Sequence, residues 1–266
     1  MKLRCIMSLL LNYLLIVLAV FLLQRQLIYF PDRLTQSEME NRMASANLQP
    51  WPSSGELRGF IREEKLTNPQ GTILVFHGNA GSAMDRTYYM DALQRLGYRV
   101  ILAEYPGYGT RSGSPSETVL IQDGIATAKQ ALRDFDGPLF LCGESLGSGV
   151  VSGIVASGEV SAKGLLLITP FDSMAKVAQH HYWYFLAGWL LLDRYDSVSH
   201  LQNYQGSIAV VLAGQDEIVP NQRTLALFEA FPGRKKLWRF ENARHNTLPM
   251  GAQQPWWQEV MRFLAA

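Results

Sequence analysis

The chain opens on an uninterrupted apolar run, residues 5–23, in which only Ser8 and Asn12 break the hydrophobic surface and no side chain is charged. As a helix its nineteen residues extend about 28 Å, close to the thickness of a bilayer core. A buried helix of a soluble domain would show a polar face, and this run has none. It exceeds the ~7–15 residues of a signal-peptide core, and no small-x-small cleavage site follows Leu22-Leu23-Gln24. The run therefore predicts one uncleaved transmembrane anchor. Lys2, Arg4 and the α-amino group precede it while Arg25 and Arg33 follow, a bias that predicts an inside N-terminus and a domain on the non-cytoplasmic side of the membrane.

Residues 24–56 are polar and predict a connector that packs along the downstream domain. Beyond it, short continuous apolar runs alternate with longer helical patterns. Strands are predicted over 72–76, 99–104, 139–142, 164–169, 208–213 and 236–240, and helices over 83–96, 116–135, 146–157, 221–231 and 255–264. Such alternation, with strands apolar on both faces, predicts an α/β fold whose mostly parallel sheet is covered by helices on each side. An earlier strand pair around 57–66 predicts an antiparallel edge. In such sheets, ligands lie beyond the carboxyl ends of the strands.

Composition narrows the class. The 266 residues are 48% hydrophobic, enough for one sizeable core, and the formal net charge of +1 gives no electrostatic reason to expect a nucleic-acid partner. The basic triplet Arg234-Lys235-Lys236 is read as solvated surface. Two cysteines, Cys5 in the apolar run and Cys142 in a predicted strand, exclude a disulfide framework.

Directly after the strand ending at Cys142 comes Gly143-Glu144-Ser145-Leu146-Gly147, a G-x-S-x-G in the strand-turn-helix setting that projects a serine hydroxyl from a strained turn. Glycines flank the turn because side chains there would strike the neighbouring strand and helix. A serine nucleophile needs a base. His245 follows the last predicted strand, whereas His77 ends the first central strand as a loop-shaping residue and His180, His181 and His200 fall in an aromatic segment. Asp216 follows the strand at 208–213 and is placed to orient that imidazole, with Glu217 as its neighbouring rival. The resulting order of Ser, Asp, His is that of α/β-hydrolases. Backbone amides of Leu146, after the nucleophile, and of Asn79, between the glycines of His77-Gly78-Asn79-Ala80-Gly81, are the candidate oxyanion donors. No phosphate-cradling G-x-x-x-x-G-K-[ST] or G-x-G-x-x-G pattern occurs. His180 and His181 are adjacent, a spacing that predicts diverging rings and a poor metal pair.

These motifs, with Leu27-Ile28-Tyr29-Phe30-Pro31, Tyr105-Pro106-Gly107-Tyr108-Gly109, Gly113-Ser114-Pro115-Ser116-Glu117, Pro170-Phe171, Arg194-Tyr195-Asp196-Ser197 and Asp216 to Pro220, run collinearly along the chain. The sequence resembles the single-pass, membrane-anchored α/β-hydrolases (abhydrolase-domain serine hydrolases), among them relatives that deacylate lipidated proteins. The resemblance implies an α/β-hydrolase fold, the triad Ser145, Asp216 and His245, oxyanion donors near Asn79 and Leu146, and neither metal nor organic cofactor. Thr110-Arg111 departs from the small residues expected after Tyr-Pro-Gly-Tyr-Gly and leaves the shape of that loop open. The expected division is an anchor at 5–23, a connector at 24–56 and a catalytic domain at 57–266, with an aromatic lid segment at 171–200. The expected chemistry is hydrolysis of carboxylic esters or thioesters, on small acyl esters, lipid-like molecules or lipidated substrates, through an acyl-serine intermediate. A membrane serine peptidase would use the same machinery. Dehalogenase or epoxide-hydrolase chemistry would place an aspartate where Ser145 stands, and a non-catalytic scaffold would carry a broken triad.

Overall fold

In a computed structural model that describes residues 2–62 and 68–266, a long helix α1 (Lys2–Ile28) leads into a two-residue strand β1 (Phe30–Pro31), helix α2 (Gln36–Ala46) and strands β2 (Gln49–Trp51) and β3 (Gly59–Ile61). Strand β4 (Thr72–Phe76), the short β5 (Ala80–Gly81), helix α3 (Thr87–Leu93) between two 3-10 turns, strand β6 (Arg99–Ala103), helix α4 (Glu117–Asp134), strand β7 (Leu139–Glu144) and helix α5 (Leu146–Ala156) come next. The remainder comprises β8 (Gly164–Ile168), an insert holding α6 (Met174–Tyr182), a 3-10 turn Trp183–Phe185 and α7 (Ala187–Leu190), the short α8 (Ser197–Leu201), β9 (Ser207–Ala213), α9 (Asn221–Ala230), β10 (Lys235–Phe240) and α10 (Trp256–Ala265).

Among the described residues, eight strands form one sheet in the order β10-β9-β8-β7-β4-β6-β3-β2, parallel from β10 to β6 and antiparallel at β3 and β2. Because successive strand residues point to opposite faces, each strand feeds two cores. Leu74, Leu141, Leu165 and Val210 pack against α4, α5 and α9, while Ile73, Phe140, Leu166 and Val211 pack against α3 and α10. The α/β fold expected from the alternation is the one observed. The antiparallel edge differs in place. Its outer strand is Gln49–Trp51, inside the polar segment read as connector, and residues 63–66 of the predicted edge lie outside the described residues. Pro50 and Pro52 flank Trp51 and disguise the strand, which an edge position tolerates. The connector also holds α2, started by a capping box in which Thr35 accepts from the Glu38 amide and Glu38 bonds back to Thr35.

Helix α1 continues past the apolar run to Ile28, and its stretch Leu3–Ile28 is long and apolar enough to cross a membrane. Its end is tied into the domain. β1 pairs in parallel with β5, Phe30 opposite Ala80 and Pro31 opposite Gly81. The Arg111 loop is closed by that residue's buried guanidinium, which donates to both carboxylate oxygens of Asp123 at 2.7 Å, to Glu56 at 2.6 Å and to the Glu104 carbonyl at 2.6 Å. The departure from small residues is thus a clamp that joins the loop to β3's approach and to α4.

Candidate active site

At the carboxyl end of β7 the chain turns into α5 through Ser145, whose φ of 51° and ψ of −114° place an L-residue in a sparsely populated region, at a cost of about 1–3 kcal/mol. Neighbouring bonds hold the strain. The Ser145 amide donates to the Ile168 carbonyl at 2.8 Å, and the Ser145 carbonyl accepts from the Ser148 amide and hydroxyl at 2.9 and 2.6 Å. A side chain on Gly143 would stand 2.7 Å from Ser148 Cα, so the strand and the helix start touch backbone to backbone.

His245 Nε2 lies 3.0 Å from Ser145 Oγ, and His245 Nδ1 lies 2.9 and 2.8 Å from the two carboxylate oxygens of Asp216. A carboxylate only accepts, so Nδ1 carries the proton and Nε2 is the acceptor for the serine hydroxyl. Asp216 is fixed independently, its Oδ1 accepting from the amides of Ile218 and Val219 at 2.9 and 2.8 Å, and its side chain is only 1% exposed. The acid and base loops are stapled together by Gly214 N to Phe240 O and Gln215 N to Ala243 O, both 2.8 Å. Glu217 instead reaches the His245 backbone amide, at 3.5 Å, rather than the ring.

Leu146 is the first residue of α5, where amides have no intrahelical acceptor. Asn79 is held at three points: its carbonyl accepts from Phe30 N at 2.9 Å and Tyr108 Oη at 2.7 Å, and its side-chain amide donates to the Ile28 carbonyl at 2.8 Å. Its own backbone N–H has no partner among the described residues. Gly78 packs against the nucleophile, a Cβ there standing 3.7 Å from Ser145 Cβ. Beneath this loop the buried His77 ring faces the Gly78 carbonyl at 2.8 Å and Glu104 at 3.1 Å, and Glu104 also accepts from Ser82 Oγ at 2.7 Å. Loop shaping, as read for His77, is its structural role.

A cavity of about 220 Å³ opens beside the serine, lined by Arg86, Tyr88, Glu144, Ile168, His245 and Leu248 among others. Glu144, the variable residue of the G-x-S-x-G, was not singled out by sequence reasoning. Burial alone would raise its carboxyl, but the Arg86 charge and hydrogen bonds from Tyr88 and Tyr89 at 2.8 and 2.9 Å outweigh burial and hold it below the ordinary carboxylate value. Burial, and then the Glu144 charge, push both tyrosines up, which keeps them as donors. No local pattern marks this set, because Glu144 and its partners are more than fifty positions apart. His180 and His181 do not diverge as expected; their rings meet edge to face at 4.9 Å, and His181 Nε2 lies 2.8 Å from the Ile218 carbonyl.

A family model described as serine aminopeptidase, S33, matches residues 67–199, half of the chain. The chain belongs to this α/β-hydrolase family. Membership makes it a serine hydrolase, in agreement with the resemblance drawn from its motifs. Among similar proteins, an uncharacterized protein of Mycobacterium tuberculosis H37Rv is 30% identical over 87% of this chain and 83% of its own length. The lysophosphatidylserine lipase ABHD12 of Bos taurus is 29% identical over 65% of this chain, which spans about half (48%) of that lipase. Two solved structures share the fold at 16% identity: Est1E of Butyrivibrio proteoclasticus with ferulic acid bound, with a TM-score of 0.58 over 76% of this chain and 88% of its own, and a monoacylglycerol lipase of Paleococcus ferrophilus, with 0.57 over 74% and 95%.

Proposed function

We infer that this hydrolase cleaves carboxylic ester or thioester bonds of lipid-like acyl substrates at a membrane surface, through an acyl intermediate on Ser145. One observation carries most of the weight: Ser145 Oγ, His245 and Asp216 lie in series at 3.0 and 2.8 Å, and the backbone amides of Asn79 and Leu146, without a hydrogen-bond partner among the described residues, are free to serve as the oxyanion donors of this reading. As Ser145 Oγ attacks the substrate carbonyl carbon, His245 Nε2 takes the hydroxyl proton, Asp216 stabilises the imidazolium, and the two amides meet the negative charge on the carbonyl oxygen. Collapse breaks the bond to the alkoxide or thiolate, which leaves with the proton from His245. Water, deprotonated by His245, then attacks the acyl carbon and releases the carboxylic acid, restoring Ser145.

The lipase names of two relatives support an ester, and the family's own description offers a peptide as the alternative. Helix α1 supports a membrane site, with residues 5–23 as the anchor, 24–56 as the connector, and a catalytic domain at 57–266 whose lid segment is 171–200, on the non-cytoplasmic side. Lys2 and Arg4 before the apolar run favour that orientation.

A fluorophosphonate probe applied to the full-length protein and to Ser145→Ala, followed by matched ester, thioester and amide substrates, tests the assignment. Labelling and ester turnover are expected of the wild type alone. Turnover by Ser145→Ala would refute the nucleophile, and faster amide than ester cleavage would move the reading to a peptidase.

A further inference from the structure

From Val177 to Leu192 the insert contains no Asp, Glu, Lys or Arg, and it is bounded by Lys176 on one side and Asp193-Arg194 on the other. Within it stand most of the large exposed apolar side chains outside α1: Tyr182, Trp183, Tyr184, Leu186, Trp189 and Leu192, with Trp183 65% and Trp189 84% exposed. A patch of this size on a soluble surface is an interaction site.

What covers it is indicated by α1, which runs alongside. Tyr13, in the middle of the apolar run, donates its hydroxyl to the Tyr184 carbonyl at 2.8 Å. Gln24 donates to the Leu190 carbonyl at 3.5 Å and accepts from the Leu192 amide at 2.7 Å. Arg25 then pairs with the buried Asp193, 3.0 Å from Nε, and Asp193 also accepts from the Tyr29 hydroxyl at 3.1 Å. Tyr13 and Gln24 of an otherwise lipid-like helix therefore meet open backbone groups at the ends of the insert's short helices. Water would satisfy those groups unaided, whereas hydrocarbon would not, so internal pairing of this kind is what a bilayer demands.

Depth is set by helix geometry. Ten residues separate Tyr13 from Leu23, about 15 Å at the helical rise, or half of a ~30 Å hydrocarbon core. The charges Arg25, Asp193, Arg194 and Lys176 gather beyond the end of that run, where headgroups lie. We propose that the insert 177–192 is embedded in one leaflet beside α1, so that anchor and insert form a single membrane-inserted unit with the lipid acyl chains as its partner. The proposal rests on α1 as a spanning helix and is independent of the bond the enzyme cleaves. Because His181 of the insert lies 2.8 Å from the Ile218 carbonyl, two residues from Asp216, the insertion also holds the site against the membrane surface.

Tryptophan emission reads the depth directly, since Trp51, Trp238, Trp256 and Trp257 are buried in the domain and only Trp183 and Trp189 of the six are exposed. The full-length protein is placed in phosphatidylcholine vesicles with and without bromine on the acyl chains, alongside Trp183→Phe/Trp189→Phe. The wild type should lose on the order of one third of its emission, the share of two among six tryptophans, and the double variant should lose little. Ser145→Ala should be quenched like the wild type, which separates this outcome from any failure of the catalytic assignment. Absence of quenching in vesicle-bound wild type, or equal quenching in the double variant, would overturn the proposal, as would dimers cross-linked through the insert without quenching.

Discussion

Gly143→Ala isolates the nucleophile turn. Gly143 has no positive φ, so alanine meets no backbone strain there and the effect is steric. The new Cβ would lie 2.5 Å from the Gly147 carbonyl oxygen and 2.7 Å from both the Gly147 carbonyl carbon and Ser148 Cα. Carbon atoms rest at about 3.5 Å or more, so the first turn of α5 must move by about 0.8 Å relative to β7. Overpacking of this kind costs about 1–3 kcal/mol of stability. Ser145 stands between the two elements that separate, and a displacement near 1 Å costs roughly 10²-fold in rate. The assay is the second-order rate of fluorophosphonate labelling, with thermal unfolding by circular dichroism on the same samples and Gly251→Ala as control, since a Cβ at Gly251 meets only Gln254 Cγ at 4.0 Å. A labelling rate within about threefold of the wild type would refute the steric account of the turn.

Two further substitutions test neighbouring parts of the site. Asp216→Asn keeps an acceptor for the Ile218 and Val219 amides but loses the carboxylate that fixes the His245 proton on Nδ1; kcat should fall by about 10⁴ with an unchanged melting temperature, and a fall under tenfold would remove Asp216 from the triad. Glu144 is held below its ordinary value of 4.5, so its contribution to stability is complete above that pH and is lost as pH falls through the lowered value. Arg86→Gln removes the charge that opposes burial, and its acid unfolding should begin at higher pH than that of the wild type; coincident acid transitions would show that Arg86 does not set the Glu144 titration.

Much of the fold was legible because the central strands are apolar on both faces and the helices between them keep a helical period. Strand β4 and helix α5 have their expected limits to within a residue. What escaped was either too short to show a period, as with β1 and β5, or disguised by proline, as with β2. Helix α2 had a readable start, Thr35-Gln36-Ser37-Glu38, in a segment whose polarity suggested only a connector. At the site, Ser145, Asp216 and His245 each carry a local motif signal, and the structure brings the three side chains together. The Glu144 cluster and the bonds from Tyr13, Gln24 and Arg25 to the insert join positions 55 to 171 apart, and only the closed fold makes them neighbours.

The bond from the Asn79 side chain to the Ile28 carbonyl has a practical consequence for handling the enzyme. Cutting away residues 1–28 to obtain a soluble fragment would remove the acceptor that steadies Asn79 and leave β1 without its lead-in. Inhibitors ranked on such a fragment would be ranked against a loosened pocket. Detergent- or nanodisc-solubilised full-length protein is therefore the appropriate reagent for screening and for kinetics.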